Sequence, residues 1–385
     1  MRFDWIFYVG HHPDLIPAGI DTEEKAREHW ESYGKSEGRF YNPYQIPFNW
    51  HLYLGFNEDI TNIHTPEDAL QHWIKYGKKE NRRTRPPCKI VTIVAVHLNT
   101  PLKVDAFINN IPYLNEISSK VIVVSSELPD LKYRTSELTD IIDTVDYIVV
   151  PNDPVLTCYS KYLTAITPSL ISEFDRFILT NDSYYIFRSM KQFKDYCYMD
   201  KECITFMSSN EGHYHFTDFL RCYNTSGLRK IKKLYTDSTT ISCVKESIDT
   251  LELHSLDMFS SVLPYMHAIP NVSTNIFFDT IHLYDTILNR GMELIKLKSI
   301  TRKNHSYTSI PPDFDVETYK YLNTDLSHLT NEEATEHFLL YGIIEGRTYK
   351  NEPPVINSDI RKLFGMLQIA VPTSLSDRAM TATSQ

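Results

Sequence analysis

The sequence predicts an α/β domain built on a parallel sheet and carried between small helical units. Three observations support this. Short apolar, β-branched runs alternate with amphipathic stretches from Lys89 to Thr180, a helical pattern recurs twice before that block and once after it, and four strand ends in the block are polar. At 385 residues the chain suits a central domain of about 200 residues with smaller attachments. The boundaries follow as two helical units (1–43 and 44–86), an α/β domain (87–305), a third helical unit (306–352) and a tail (353–385).

The helical units show when the chain is aligned with itself. Phe3-Asp-Trp-Ile-Phe-Tyr8 leads to Asp14, Ala26, His29-Trp30, Tyr33-Gly34, Glu37 and Arg39. Phe48-Asn-Trp-His-Leu-Tyr53 leads to Asp59, Ala69, His72-Trp73, Tyr76-Gly77, Glu80 and Arg82, and the pattern returns at Phe314, Tyr319, Asp325, Ala334, His337-Phe338, Tyr341-Gly342, Glu345 and Arg347. The spacings from Phe to Asp and from His to Arg are identical in the three copies, so length changes fall in a loop between. Ala, His, the aromatic and Tyr recur at steps of three and four, the period of a helix face, and Gly34, Gly77 and Gly342 fall where a helix C-cap belongs. Each unit reads as helix, polar turn and helix, with its His bonded inside the unit and its Glu-x-Arg an ion pair, or else as a glycan- or partner-binding module. Such small units must pack on a neighbour. Two copies before the core and one after predict that they meet in space, which leaves room for a homo-oligomer.

Past the linker Arg83-Thr-Arg-Pro-Pro87 the period changes. Strands are predicted at Lys89–Val96, Lys120–Val124, Tyr147–Val150 and Phe177–Thr180, with helices over 101–117, 131–142 and 155–174 between them. Strand–helix alternation of this length is the signature of a Rossmann-type sheet with helices on both faces. Such sheets bind ligands outside the carboxyl ends of their strands. Those ends carry His97 and Asn99, Ser125 and Ser126, Asn152 and Asp153, and Asn181, Asp182 and Ser183.

Composition narrows the chemistry. Hydrophobic content of 42% and charged content of 23% are ordinary for a globular protein. A net charge of -10 without a long basic run excludes a nucleic-acid partner, and the cluster from Lys78 to Arg85 reads as a solvated face. Six cysteines without a Cys-x-x-Cys pair read as reduced thiols, and no apolar run is long enough to span a bilayer or serve as a signal peptide, so the expected location is cytoplasmic. No Gly-x-Gly-x-x-Gly, Walker-type loop, Gly-x-Ser-x-Gly or His-Glu-x-x-His occurs, and 12 glycines leave little for a phosphate cradle. What remains is an acidic sheet edge. One or two carboxylates suffice there to hold Mg²⁺ or Mn²⁺ against a substrate diphosphate, with Asp182 as the metal ligand; the structural alternative has Asp182 capping the next turn.

The residues Asp146-Tyr-Ile-Val-Val-Pro-Asn152, Tyr159-Ser-Lys161 and Phe174-Asp-Arg-Phe-Ile-Leu-Thr-Asn-Asp-Ser183, followed by 202–224 and Gly227-Leu-Arg-Lys-Ile231, resemble the glycosyltransferase domain of the rhamnan-synthesis type over roughly Lys89 to Lys298. The helical units likewise resemble those that flank glycosyltransferase domains in bacterial and large-virus polysaccharide proteins. The chain departs from the family pattern in lacking a Gly-rich turn near Asp153-Pro-Val-Leu-Thr157 and in having Thr217-Asp218 where Gln-Ser is usual.

The resemblance implies a GT-A-like sheet, a nucleotide-sugar donor and a glycan acceptor. It implies donor contacts from His97, Asn99, Ser125, Asn152, Lys161, Asn181, Asp182 and Ser183, with Lys296 also placed to touch phosphate. A catalytic base comes from Glu211 first and Asp218 second, with Glu246 an outside candidate and His213 and His215 on the acceptor side. Two other readings stay open. One is a non-catalytic glycan- or protein-binding scaffold with a degenerate transferase domain, favoured by the missing Asp-x-Asp; the other is a nucleotide-sugar hydrolase or pyrophosphorylase, the latter lacking its basic Gly-rich loop.

Overall fold

The computed structural model describes residues 3–45, 50–80, 82–84, 87–126, 135–270, 290–301 and 314–342, with positions 48, 286, 347 and 349. The chain divides into two compact units, residues 1–182 with 190–273, and residues 183–189 with 274–385. The tail from Pro353 lies outside the described residues.

The first two helical units share one build. Helix α1 (Trp5–His11) is capped by Asp4, and α2 (Glu23–His29), capped by Thr22, runs on as a π-helical turn over Trp30–Gly34. Helices α3 (Trp50–Phe56) and α4 (Pro66–His72), the latter capped by Thr65, run on into Trp73–Gly77. In the second compact unit, Val316–Leu322 and Asn331–His337 repeat the scheme and continue over Phe338–Gly342.

Each recurrent His accepts or donates at Nδ1 to a buried Tyr hydroxyl, Tyr8 to His29 and Tyr53 to His72 at 2.8 Å and Tyr319 to His337 at 2.9 Å. Each recurrent Arg pairs with the recurrent Asp, Arg39 with Asp14 at 2.9 Å, Arg82 with Asp59 at 2.6 Å and Arg347 with Asp325 at 2.7 Å. Arg39 and Arg82 also hold Glu37 and Glu80.

The three glycines are not the caps that periodicity suggests. None has a positive φ; the left-handed positions in the first unit are Gly19, at φ +80°, and Gly38, past the second helix, at φ +66°. Their role is clearance, because a Cβ on Gly34, Gly77 or Gly342 would lie 2.2, 2.5 or 2.3 Å from the Tyr8, Tyr53 or Tyr319 hydroxyl. The basic stretch after Trp73 is exposed at Lys78, Lys79 and Arg83, and two of its cations also lie over rings. The Lys78 ammonium sits 4.4 Å from the Trp73 ring centroid and the Arg83 guanidinium 4.5 Å from that of Phe56.

The α/β core begins with β1 (Ile90–Val96), buried along its length, then α5 (Pro101–Ile117), β2 (Lys120–Ser125), α6 (Ser136–Ile142) and β3 (Asp146–Val149). The helix expected over 155–174 is two, α7 (Cys158–Ala165) and α8 (Pro168–Glu173). Thr167 caps the second and Pro168 opens it, and the residue before a proline is driven out of helical geometry. Next come β4 (Arg176–Asn181), β5 (Tyr184–Ile186), α9 (Lys191–Cys197), β6 (Cys203–Ser209), β7 (His215–Phe216), β8 (Leu220–Asn224), α10 (Thr225–Asp237), α11 (Val244–Ser247), β9 (Val262–Met266) and β10 (Leu294–Lys296).

The main sheet runs β3–β2–β1–β4–β8–β6–β7, with β9 also on β6. Pairing is parallel from β3 to β4 and between β6 and β9, while β8 lies antiparallel between β4 and β6. The carboxyl ends of β1, β2, β3, β4, β6 and β9 and the amino end of β8 therefore share one edge. Beneath it Ile93, Val124, Phe177 and Leu179 form one core with Tyr162, Ile166, Leu228 and Ile231 of the covering segments. In the other compact unit β5 and β10 pair antiparallel, Tyr184 facing Lys296.

None of the six cysteines is in a disulfide, and three of them are buried. Among the described residues no helix is long and apolar enough to cross a membrane.

Candidate functional site

The sheet edge brings four side chains into one bonded chain. The parallel register sets Ala95 beside Asn181, so the first residues past β1 and β4 meet, and the His97 amide donates to Asp182 Oδ2 at 2.7 Å. Lys103, in the first turn of α5, places Nζ 3.2 Å from the same Oδ2 and donates to the His97 carbonyl at 3.2 Å. Across the edge His97 Nδ1 lies 2.7 Å from Ser126 Oγ, just past β2. The carboxylate at the end of β4 thus ties β1 to α5. It is 13% exposed and its lysine 28%, so the ion pair is partly shielded from water.

Beside this chain stands a second lysine. Lys161 on α7 is 4% exposed, and among the described residues it makes neither hydrogen bond nor ion pair. Burial lowers its pKa most; Cys158, Asp182 and Asp153 act to raise it and Lys103 to lower it. The turn into α7 is strained. Asp153 Oδ1 accepts from the amides of Val155 and Leu156 at 2.9 and 2.8 Å, and Thr157 takes φ +49°, a left-handed value that favours glycine. No glycine stands there, yet the backbone bends as a glycine would.

The pairing of Thr180 with Leu220 puts Asp218 at the same edge, where Tyr159 of α7 donates to its Oδ2 at 2.8 Å. Arg221, 1% exposed, fixes the approach to Asp218 by donating to the carbonyls of Phe216, Thr217 and Glu252 and to Ser255 Oγ.

The other expected residues are spread more widely. Asn99 and Asn152 are exposed, Asn181 is half-buried at the end of β4, and Ser125 is buried inside β2, leaving Ser126 as the serine that meets His97. Glu211 and His213 are exposed on the β6–β7 turn at Gly212 (φ +73°), where His215 Nδ1 meets the His213 carbonyl at 3.0 Å. No contact joins these three to Asp182. Glu246 is exposed on α11. Ser183 and Lys296 belong to the second compact unit and bond to each other at 2.8 Å.

Lys103 completes the site without having been singled out for it, while Ser126 was expected at the edge and Tyr159 only as part of a motif. A capped helix start at Thr100-Pro101 directly after β1 was the available signal for Lys103.

The described residues contain no group of three or more His, Cys, Asp or Glu able to hold a metal ion. At Asp182, Oδ2 takes the His97 amide and the Lys103 ammonium. One carboxylate with a bonded lysine, and a second lysine within its field, suits an anion better than a cation.

No protein-family profile matches the chain, and no curated protein matches it in sequence. Among solved structures it is similar to a protein from Bacillus anthracis assigned as glucose-1-phosphate thymidylyltransferase, in complex with sucrose (7% identity, TM-score 0.33, 46% of this chain and 86% of that one). It is also similar to the bifunctional glycosyltransferase WbbM (8% identity, TM-score 0.30, 55% of this chain and 50% of that one). A third likeness is to a protein from Desulfovibrio desulfuricans G20 assigned as a nucleotide-diphospho-sugar transferase (10% identity, TM-score 0.32, 66% of this chain and 99% of that one). At these TM-scores the likenesses carry no argument about activity, and the α/β architecture rests on the strand pairing itself.

Proposed function

We propose that the chain is a cytoplasmic glycosyltransferase that moves a sugar from a nucleotide-sugar donor to a glycan or related acceptor, in polysaccharide or glycoconjugate synthesis. The observation that carries this reading is Lys161, a lysine only 4% exposed that makes no hydrogen bond or ion pair among the described residues, at the edge where open α/β sheets take their ligands. A buried charge is costly unless paired, and an incoming diphosphate supplies the missing pair. Lys103 lies beside it at the amino end of α5, where backbone amides and the helix dipole also favour an anion.

In this reading Lys103 and Lys161 hold the diphosphate and stabilise the charge that grows on it as the bond from sugar C1 to phosphate oxygen breaks. Asp182 keeps Lys103 turned toward the edge, and His97 with Ser126 offers polar contacts to the donor. Asp218, held by Tyr159, accepts the proton of the acceptor hydroxyl as its oxygen bonds to C1. Glu211 has no comparable placement, so Asp218 takes the role of base. The lysines do the work expected of a divalent ion, and no step requires one.

The test is thermal shift and nucleotide release with UDP-, GDP-, dTDP- and CMP-sugars, in EDTA and in Mn²⁺, on wild type, Lys161→Met and Asp218→Asn. One donor class should stabilise the wild type in EDTA, with binding lost in Lys161→Met and turnover lost in Asp218→Asn. If no nucleotide sugar shifts the melting curve, the catalytic reading fails and the scaffold reading takes its place.

A further inference from the structure

The first two helical units enclose a cleft of about 670 Å³. Its walls are aromatic on both sides, with Trp30, Phe40 and Tyr41 from the first unit facing Phe48 and Trp50 from the second. These rings are not sealed into a core, since Phe40 is 40% exposed and Trp30, Tyr41, Phe48 and Trp50 are each only half-buried. The volume falls within the range of ligand sites.

The cleft also carries a hydrogen-bond donor that the protein leaves unused. Gln45, 9% exposed, spends its side-chain oxygen on the amides of Tyr41 and Asn42 at 2.7 and 3.0 Å. Those two donors fix the amide orientation, so the NH₂ group points away from the backbone it caps, and among the described residues it has no partner. The two cations of the lining are already neutralised, Lys35 by Glu31 and Arg39 by Asp14 and Glu37. Lys35 also lies over the Trp30 ring, 4.4 Å from its centroid.

We infer that this cleft is a carbohydrate-binding site that takes a neutral glycan chain. A sugar ring offers both surfaces the cleft demands, an apolar C–H face for the negative face of an aromatic ring and a rim of oxygens that accept from Gln45. An anionic ligand finds no unpaired cation here, and a purely apolar one leaves the Gln45 NH₂ unbonded. The site stands apart from the transferase reading, because it binds glycan without a nucleotide. If both hold, it retains the acceptor.

The experiment uses the full chain without nucleotide. Linear hexasaccharides of glucose, mannose, galactose and N-acetylglucosamine are titrated by tryptophan fluorescence and by saturation-transfer NMR. At least one should bind. Phe40→Ala, at a partly exposed ring, and Gln45→Glu, which keeps the acceptor and removes the donor, should each weaken binding about tenfold or more with the melting temperature unchanged. The inference is overturned if no hexasaccharide binds, if binding survives both substitutions, or if the cleft is occupied by a second copy of the chain in solution. Loss of nucleotide-sugar binding in the Lys161→Met protein leaves these outcomes untouched, so the two proposals fail separately.

Discussion

The hydroxyl of Tyr8 lies 2.8 Å from Nδ1 of His29, and the space it occupies is the space a side chain at Gly34 would need. A Cβ there would approach the hydroxyl to 2.2 Å. Alanine is ordinarily the better helix residue by about 1 kcal/mol, but here overpacking and the lost Tyr–His bond reverse the sign. Gly34→Ala should destabilise by about 2 kcal/mol in urea unfolding. Gly55→Ala, in α3 with nothing within 4 Å, should be neutral or stabilising by up to about 1 kcal/mol. Equal effects at the two sites would refute the clearance argument.

Glu202 ties three segments together. It accepts from Lys230 of α10 at 2.8 Å, from Ser226 at 3.0 Å and from the Ser260 amide at 2.9 Å. The Lys230 ammonium, followed by the Ser260 amide, lowers its carboxyl from the ordinary 4.5 to about 2. A carboxylate whose pKa falls on folding contributes stability that is fully present above 4.5 and lost as the pH drops toward 2. Glu202→Gln should therefore lower the melting temperature at pH 7 and flatten its acid dependence between pH 4.5 and 2, read by calorimetry across that range. An unchanged acid limb would show that other carboxylates govern it.

For Lys161 the expectation is a trade between stability and binding. Replacing a lysine that is only 4% exposed and makes no ion pair with Met removes part of a desolvation penalty, so Lys161→Met should be at least as stable as wild type at pH 7, by up to about 1 kcal/mol, while losing the donor. Burial lowers this lysine's pKa on folding, so the penalty is full below the folded value and is relieved as the pH rises toward 10.5. The stability gap between the two proteins should close over that alkaline interval. A destabilised variant would mean that the ammonium has a partner in the folded protein.

Much of this was legible in the sequence, and the failures have physical causes. Strands β1, β2 and β4 and their polar ends were readable because parallel strands buried on both faces are near-continuous apolar runs, and β3, at the sheet's edge and partly exposed, was readable from its β-branched Ile-Val-Val run. The wedge of β8 between β4 and β6 was not, since antiparallel pairing across the sheet is fixed by register and not by local pattern. The same limit hid the partners of Asp182. Lys103 reads as one more cation on an amphipathic helix until the meeting of β1 and β4 brings the amide of His97 and its carbonyl to the carboxylate. In the helical units the period gave the His and Gly positions, but the Tyr that explains both lies on another helix.

Tyr159 and Asp218 provide the last test, because Tyr159 touches the carboxylate and not, in the proposed reaction, the acceptor. Its hydroxyl is the one hydrogen-bond partner of Asp218 among the described residues. Tyr159→Phe leaves the ring packed against Tyr162 and Tyr235 and removes only that bond. A positioning role predicts that kcat falls about 10- to 100-fold with KM little changed, whereas Asp218→Asn should lose a factor of about 10² to 10⁴. The double variant should be no worse than Asp218→Asn alone, since the hydroxyl then has no carboxylate to position. Steady-state kinetics on the three proteins decide it. Additive losses, or a change confined to KM, would remove Asp218 from the role of base and return the question to the exposed Glu211.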